Sequence, residues 1–437
     1  MQDTRKAIIS WSLYDWANSA FATTVMAGFF PIFFSSYWVS TSSVQISTFY
    51  LGLANSLEAI LVAILAPILG AIADKGSFKK RFLIFFTFLG CVLTSSLWFV
   101  QAGMWQLAVL FYILATIGFS GSLIFYDALL PNVASPKKID FVSSLGYSLG
   151  YIGGGILFLL NVLMYLHPSW FGLADEVAAI KASFVTVGIW WAVFSIPLIL
   201  FVKEPKVSPA KKATQAIKEG LIQLKFTFKA IQDLKVVGLF LLAYWFYIDG
   251  VDTIIRMAVD YGTAIGFPAS SLIVALLITQ FVAFPSALAY NSFGQRIGIK
   301  KALLVAIGAY CFIAILGFFM SKEWHFYALA CLIGLFQGGI QALSRSYYTR
   351  LIPTEFSGEF FGFFNMLGKF AAIIGPALLG IVTIITKSNR LGILSITILF
   401  IAGGLLLTKV NEEEGKISLQ SFRTSMIAKE LEHRDTN

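Results

Sequence analysis

The amino-acid sequence predicts an all-α polytopic membrane protein with twelve transmembrane helices in two pseudo-symmetric six-helix bundles. Three observations indicate this fold class. Hydrophobic residues make up 58% of the 437 residues and charged residues only 13%, so the composition lies outside the range of soluble globular proteins. The apolar residues form twelve stretches of helix length. One long polar segment divides these stretches six and six.

Each predicted span can cross a hydrocarbon core about 30 Å thick, which takes roughly 20 residues of helix. Backbone polar groups must be satisfied within the segment in lipid, and the stretches lack the alternation of barrel strands, so each is predicted to be a helix. In chain order the predicted spans are 10–36, 49–72, 82–100, 107–129, 142–166, 183–201, 236–257, 271–289, 302–320, 326–346, 360–385 and 391–407.

The polar segment 203–235 is predicted to link an N-terminal bundle, 1–202, to a C-terminal bundle, 236–410, with a cytoplasmic tail over 411–437. Within the linker, apolar residues recur near helical spacing over 213–234 with lysines between them. This pattern is typical of an amphipathic helix that lies on a membrane surface.

Internal similarity supports two related halves. Several residues recur at an offset of 222 positions, which is close to half of the chain; they are Pro131 with Pro353, Gly146 with Gly368, and Gly153 with Gly375. Parallel six-span repeats about an axis along the membrane normal form a known membrane architecture.

The basic residues predict the orientation. Of the 32 lysines and arginines, 25 lie on the side of the membrane that holds both termini, and only Lys181, Lys322, Lys387 and Arg390 lie on the other. The positive-inside rule then places both termini in the cytoplasm, and we expect a multi-pass protein of the bacterial inner membrane. The cations follow one side of the membrane rather than one domain, which does not indicate a nucleic-acid partner.

Sequence motifs carry a resemblance to a known family. Gly70-x3-Asp74-Lys75-Gly76 and the basic residues after it resemble the loop between spans 2 and 3 of the major facilitator superfamily. The runs WSLYDWANSA (11–20), AYWFYIDGV (243–251) and QGGIQALSRS (337–346) are similar to the branch of the fungal autophagy-related vacuolar amino-acid effluxer and its bacterial relatives. This resemblance implies secondary transport of an amino acid or similar zwitterion by alternating access, without a cofactor. We expect a functional monomer.

Ionisable side chains inside the predicted spans are candidates for function. Such a residue costs at least ~2.5 kcal/mol on insertion scales, so it usually faces a bundle interior or a water-filled cavity. The candidates are Asp15, Glu58, Asp127, Asp249, Asp252, Arg256, Arg345 and Lys369.

A central site is predicted from the mid-depth candidates. Asp249, Asp252 and Arg256 have spacing i, i+3, i+7, which places them on one helical face that we expect to point into a cavity between the bundles. Glu58 and Lys369 lie at similar depth in spans 2 and 11.

One hypothesis gives this site to solute and proton. Asp249 or Glu58 changes protonation, Lys369 or Arg256 holds a solute carboxylate, and aromatic side chains pack against the solute. Those aromatic residues are Tyr244, Trp245 and Tyr247. The alternative is a neutralised internal ion pair between Asp252 and Arg256. Buried carboxylates with few hydroxyl groups nearby favour proton over sodium coupling.

A gate is predicted at the cytoplasmic ends of spans 4 and 10. Asp127 and Arg345 are expected to form an ion pair when this side is closed and to separate when it opens. The alternative is that each residue pairs within its own half. Asp15 is expected to order the cytoplasmic end of span 1, and Asp74 can accept hydrogen bonds at a helix end, so both are grouped with this gate.

Other function classes fit the sequence less well. Tyr14-Asp15 and Tyr126-Asp127 match half of an intramembrane aspartyl protease signature, but the sequence has no Gly-x-Gly-Asp partner, no metal-ligand spacing and no Walker motif. An enzyme is therefore not expected. A solute-sensing receptor or a lipid scramblase on the same fold remains an alternative to transport.

Overall fold

The computed structural model describes residues 2–39, 44–204, 234–264 and 266–422, without the side chains of 44–49, 51–52, 55–56, 256–257, 259–260, 263–264, 269–270 and 371–373. The amphipathic helix predicted within the linker and most of the predicted tail lie outside these residues.

Twelve helical spans confirm the predicted fold class. Span 1 covers Arg5–Trp38. Spans 2 to 6 are helices Val44–Gly76, Lys79–Ser96 with a 3-10 turn Leu97–Phe99, Trp105–Val133, Ile139–Leu166 and Glu176–Phe201. Spans 7 to 12 are Lys235–Ala264, Ala269–Ile297, Ile299–Phe318, Glu323–Leu351, Ser357–Thr386, and the pair Asn389–Ser395 and Thr397–Lys409. Short 3-10 turns, Pro168–Phe171 and Thr354–Phe356, precede spans 6 and 11, and 412–422 is a further helix.

The helices run beyond the apolar stretches that predicted them. Span 2 has 33 residues, which at about 1.5 Å per residue is longer than the hydrocarbon core is thick. Hydropathy marks only the part of a helix in lipid. Backbone hydrogen bonding continues into the polar residues at each end.

Span 1 is not a uniform α-helix. An α-helical first half, Arg5–Ala20, leads into wider π-helical turns over Phe21–Phe29. A second π segment, Phe34–Trp38, follows a short α-helical stretch that contains Pro31. Such wide turns are rare and frequently occur at functional sites. Here they carry Thr23, whose Oγ1 accepts a hydrogen bond from Gln280 of span 8 at 3.3 Å.

Each bundle has its own buried core. The C-terminal bundle is filled by one large cluster that includes Phe240, Tyr310 and Phe400. Two clusters fill the N-terminal bundle, one of which includes Trp11 and Phe125. The bundles meet where span 2 packs on span 11 and span 5 on span 8. These two contacts are exchanged by the six-span repeat, as the predicted pseudo-symmetry requires.

The contact between spans 2 and 11 depends on glycine. A Cβ atom at Gly362 would lie 2.6 Å from the carbonyl oxygen of Ala66, and one at Gly358 would lie 2.8 Å from that of Gly70. Any side chain would separate the two backbones. The bundles are therefore in backbone contact at the end of span 2.

The two faces of the membrane protein differ in charge. Loops after spans 2, 4, 6, 8 and 10 lie on the same side as the start of span 1 and hold most of the lysines and arginines. We call this the cation-rich side, and the opposite face the cation-poor side.

Candidate functional site

An ion pair joins the two bundles at mid-depth. Lys369 Nζ of span 11 lies 3.0 Å from Glu58 Oε1 of span 2. The hydroxyl of Ser120 in span 4 donates to the same oxygen at 2.9 Å. The side chains are 17% and 6% exposed for lysine and glutamate. A separated pair would leave two largely desolvated charges, so the pair holds the bundles together unless other charged groups replace it.

Asp249 lies against span 11 inside the C-terminal bundle. Its Oδ1 accepts a hydrogen bond from the backbone N–H of Gly375 at 2.9 Å and one from Thr253 Oγ1 at 3.3 Å. Pro376, the next residue, has no N–H and interrupts the helix ladder. Asp249 therefore binds the backbone of span 11 beside a proline.

The predicted cavity-facing stripe of span 7 is therefore split. Asp249 is 1% exposed and turned toward span 11, whereas Asp252 is half-buried. The helical face that carries both is wide enough to meet a neighbouring helix as well as the space between the bundles. Arg256 lies outside the described side chains, and so does its predicted pairing with Asp252.

The aromatic residues of span 7 occupy different surroundings. Tyr244 stacks on Phe364 of span 11 with ring centroids 4.1 Å apart. Trp245 is half-buried, and its Nε1 has no hydrogen-bond partner among the described residues. Tyr247 is fully buried, and its hydroxyl shares a 2.6 Å hydrogen bond with Ser344 of span 10. The prediction that Tyr247 packs against a solute does not fit this position, because it is turned into the bundle core.

Arg345 crosses from the C-terminal bundle into the N-terminal one. Its Nη1 lies 3.0 Å from Asp127 Oδ1, and its Nη2 lies 3.5 Å from Asp15 Oδ2. The guanidinium also donates to the hydroxyl and the carbonyl oxygen of Ser143, both at 2.9 Å. The predicted contact of Arg345 with Asp127 is present, and the alternative of pairing within each half does not describe it. Asp15, which is grouped with this gate through its place at the cytoplasmic end of span 1, is a second partner.

Aromatic rings surround the same guanidinium. Its Cζ atom lies 5.0 Å from the ring of Trp11, 5.4 Å from that of Tyr126 and 4.2 Å from that of Tyr147. These distances are those of cation–π contacts. We call the surrounding residues, all of the N-terminal bundle, the Arg345 socket; they are Trp11, Asp15, Tyr126, Asp127, Ser143 and Tyr147.

Asp74 caps the start of span 11. Its two oxygens accept hydrogen bonds from the backbone N–H groups of Gly358 at 3.1 Å and Glu359 at 2.8 Å. Lys79 pairs with Asp74 at 2.7 Å and donates to Ser357 Oγ at 2.9 Å. The first N–H groups of a helix lack partners within the helix and carry partial positive charge, so a carboxylate there stabilises the contact between the bundles.

The segment after span 6 binds the loop between spans 2 and 3. The carboxylate of Glu204 accepts hydrogen bonds from the backbone N–H groups of Lys79 at 2.9 Å and Lys80 at 3.1 Å. Burial raises the pKa of Glu204 above its usual range, and these two donors oppose part of that rise.

Several contacts between the bundles involve residues that the sequence analysis did not select. Arg350 of span 10 pairs with Asp140 of span 5 and lies 3.7 Å from Glu412. Tyr151 donates to Gln341 Oε1 at 2.5 Å. Arg350 and Asp140 lie outside the predicted spans 326–346 and 142–166. Tyr151 and Gln341 could have been selected from the sequence, because polar side chains inside spans need hydrogen-bond partners in an apolar medium.

A separate cavity of about 70 Å³ lies in the C-terminal bundle, toward the cation-poor side. Its lining is apolar apart from Tyr261, Thr279 and Gln337. The side-chain oxygen of Gln337 has no hydrogen-bond partner among the described residues. The cavity is a gap left by the packing of side chains, so the hydropathy of the sequence does not predict it.

The ion pairs between the bundles have a common direction. Four of them join described residues of the two bundles, and each sets a carboxylate of the N-terminal bundle against a cation of the C-terminal bundle. The pairs are Glu58 with Lys369, Asp15 and Asp127 with Arg345, and Asp140 with Arg350.

Comparison with solved structures shows the fold to be that of known transporters. The human organic anion transporter MFSD10 matches with a TM-score of 0.68 and 15% identity, over 93% of this chain and 100% of that one. The proton:xylose symporter XylE matches with a TM-score of 0.69 and 14% identity, over 95% and 97% of the two chains.

Comparison of sequences gives the family. The uncharacterized MFS-type transporter YxiO of Bacillus subtilis is 40% identical over 406 residues, which cover 92% of this chain and 94% of that protein. Autophagy-related protein 22 of Yarrowia lipolytica is 22% identical over 480 residues, covering 90% and 79%. The family model described as vacuole effluxer Atg22 like matches residues 37–420. The chain therefore belongs to the Atg22-like family, within the major facilitator superfamily of membrane transporters.

Proposed function

We propose that this protein is a secondary active transporter that carries a small zwitterion, such as an amino acid, by alternating access coupled to protons. The observation that carries this proposal is the mid-depth ion pair of Glu58 and Lys369, which lies between the bundles. A zwitterion bears one carboxylate and one ammonium group. It can insert between these side chains and pair with both, so that no charge is left without a partner.

Alternating access follows from the contacts on the cation-rich side. The Arg345 socket, the Asp74 cap and the pair of Arg350 with Asp140 all join the bundles there. In the proposed cycle these contacts break together when the cation-rich side opens. The conformation described here is then the one closed toward the cytoplasm.

Proton coupling is proposed through Asp249 and Glu58. Ionised Asp249 accepts the N–H of Gly375 beside Pro376. A proton on Asp249 weakens that hydrogen bond, because a charged acceptor binds an N–H about twice as strongly as a neutral one. Protonation therefore loosens span 11 at its proline, and Lys369, the lysine that holds the bundles together, lies on the same helix.

The setting of the transporter is also proposed. The excess of basic residues in loops on one side supports a bacterial cytoplasmic membrane with both termini in the cytoplasm. Both bundles and the whole path between them come from one chain, which supports a functional monomer. The bundles are taken as 1–202 and 236–410, with 203–235 as their linker.

The test is uptake by purified protein in proteoliposomes. A panel of radiolabelled amino acids is offered with and without an inward pH gradient. We expect saturable accumulation of at least one of them, lost when the gradient is collapsed, and lost in Lys369→Ala. Lys301→Ala, which removes an exposed lysine from the first turn of span 9, is the matched control. Uptake of no amino acid under any gradient overturns the proposed solute.

A further inference from the structure

We propose that the Arg345 socket is a second site for the solute, which receives its ammonium group once the cation-rich side opens. The inference rests on the proposed alternating access. Arg345 belongs to the C-terminal bundle and every socket residue to the N-terminal bundle. When the bundles part, the arginine leaves and the socket stays with its own half.

The socket is held together without Arg345. Trp11 Nε1 donates to the carbonyl oxygen of Tyr126 at 2.9 Å, and their rings stack with centroids 4.2 Å apart. The hydroxyl of Tyr126 donates to Asp15 Oδ2 at 2.7 Å. Gly146 leaves room for both groups, since a Cβ atom there would lie 2.6 Å from Asp15 Oδ2. Spans 1, 4 and 5 therefore preorganise the site.

The vacated socket attracts a cation, because it keeps two carboxylates that Arg345 no longer neutralises. Asp15 and Asp127 are 5% and 6% exposed, and the departure of Arg345 leaves both without the counter-charge that it supplies. Ser143 adds two oxygens, which accept hydrogen bonds from the Arg345 guanidinium in the conformation described here. The incoming cation must therefore carry several N–H donors, as a primary ammonium or a guanidinium does. The rings of Trp11, Tyr126 and Tyr147 favour such organic cations over hydrated sodium.

The socket lies on the route between the central site and the cation-rich side. Arg345 is six residues from the end of span 10, or about 9 Å along the helix. Lys369 is twelve residues from the start of span 11, or about 18 Å. A solute that leaves the central ion pair toward this side passes the socket. Its ammonium group and Arg345 then compete for one place, so the gate closes only after the solute has gone.

The test uses full-length Arg345→Ala protein in nanodiscs, with ethylammonium as the probe and the thermal unfolding temperature as the readout. Ethylammonium is expected to raise this temperature saturably in the variant. Tetramethylammonium, which has no N–H, and sodium are expected not to. Adding Asp127→Asn should weaken apparent affinity roughly tenfold or more, because it removes one of two buried charges. Lys301→Ala, which removes an exposed lysine and vacates no described ion pair, is the control without the response.

Other outcomes overturn the inference. Equal stabilisation by sodium would make the socket a simple cation site, and no stabilisation by any probe would exclude a ligand site. If Arg345→Ala does not fold, Arg345→Gln is measured in the same way, since it keeps a polar group near Ser143 without the charge. The readout needs no transport. A socket that binds ethylammonium in a protein that carries no amino acid would leave this inference standing and remove the proposed solute.

Discussion

Glu58 and Lys369 form a pair to which the proposed function gives two roles, one in folding and one in transport. The pair is poorly hydrated and lies between two bundles that the proposed cycle must separate. Its strength in the closed conformation is therefore an obstacle to opening. A zwitterion that replaces the direct contact with two new ones lowers this obstacle, and so couples the solute to the motion.

Neutralising one partner at a time should separate these two roles. Glu58→Gln or Lys369→Gln leaves one charge unpaired, and we expect each to destabilise the protein by roughly 3 kcal/mol. The double variant removes both charges and should recover most of the loss in thermal unfolding temperature. Uptake should be abolished in all three. Normal uptake by the stable double variant would show that neither charge contacts the solute.

Asp249→Asn should uncouple transport from the proton. The amide oxygen can still accept the N–H of Gly375 but lacks the charge, so the variant resembles the protonated state and we expect it to fold with span 11 held less firmly. The side chain no longer titrates, so accumulation against a gradient should fall at least about tenfold while solute exchange continues. Uptake and counterflow in proteoliposomes check this. Asp175→Asn, an exposed helix cap outside the site, is the control. Full accumulation with an unchanged pH profile would remove Asp249 from the mechanism.

At the scale of helices, the start of span 11 is the element on which the closed side depends. Its first N–H groups are held by Asp74 of the other bundle, and its glycines touch the backbone of span 2. The cap fixes where span 11 begins and also which half it is attached to. A change of one carboxylate should therefore alter a conformational equilibrium.

Asp74→Ala should shift the protein toward the conformation open on the cation-rich side. Loss of a helix cap costs about 1 kcal/mol, which is about a fivefold change in population. A cysteine in place of Ala128, which is fully buried beside Ser357, reports the opening through its rate of maleimide labelling in a cysteine-free background. Asp175→Ala removes a cap elsewhere and should leave the rate unchanged. An equal rate in both variants would exclude Asp74 from the gate.

The sequence predicts the helices well and the contacts between their side chains poorly. All twelve spans follow from the length of the apolar stretches, since lipid leaves helices almost no alternative. Hydropathy says nothing about the π-helical turns of span 1, which depend on local packing. The same limit explains Asp249: a helical wheel gives its face, while the helix that meets this face is set by tertiary structure. The contact of Arg345 with Asp127 is predictable, because both lie at the cytoplasmic ends of spans that face each other. The aromatic rings around Arg345 are not predictable in this way, because their positions depend on tertiary packing.

At the scale of the whole molecule, charge determines the direction of insertion. The basic loops lie on one side, and the positive-inside rule predicts that this side is cytoplasmic. Green fluorescent protein fused after Lys409 should therefore fluoresce in bacterial cells, and alkaline phosphatase fused after Gly172 should be active. Exchanging the two reporters should silence both. Active phosphatase after Lys409 would reverse the orientation.

The common direction of the ion pairs has a consequence for assembly. Two copies of the N-terminal half would leave these carboxylates without cations opposite them, and two copies of the C-terminal half would leave Lys369, Arg345 and Arg350 without carboxylates. Identical halves would therefore bury unpaired charges that unlike halves pair with each other. If the chain is cut in the linker and its halves are made as separate polypeptides, we expect each to select the other and neither to dimerise with itself. The charges of the duplicated fold thus determine that each half associates with the other half and not with a copy of itself.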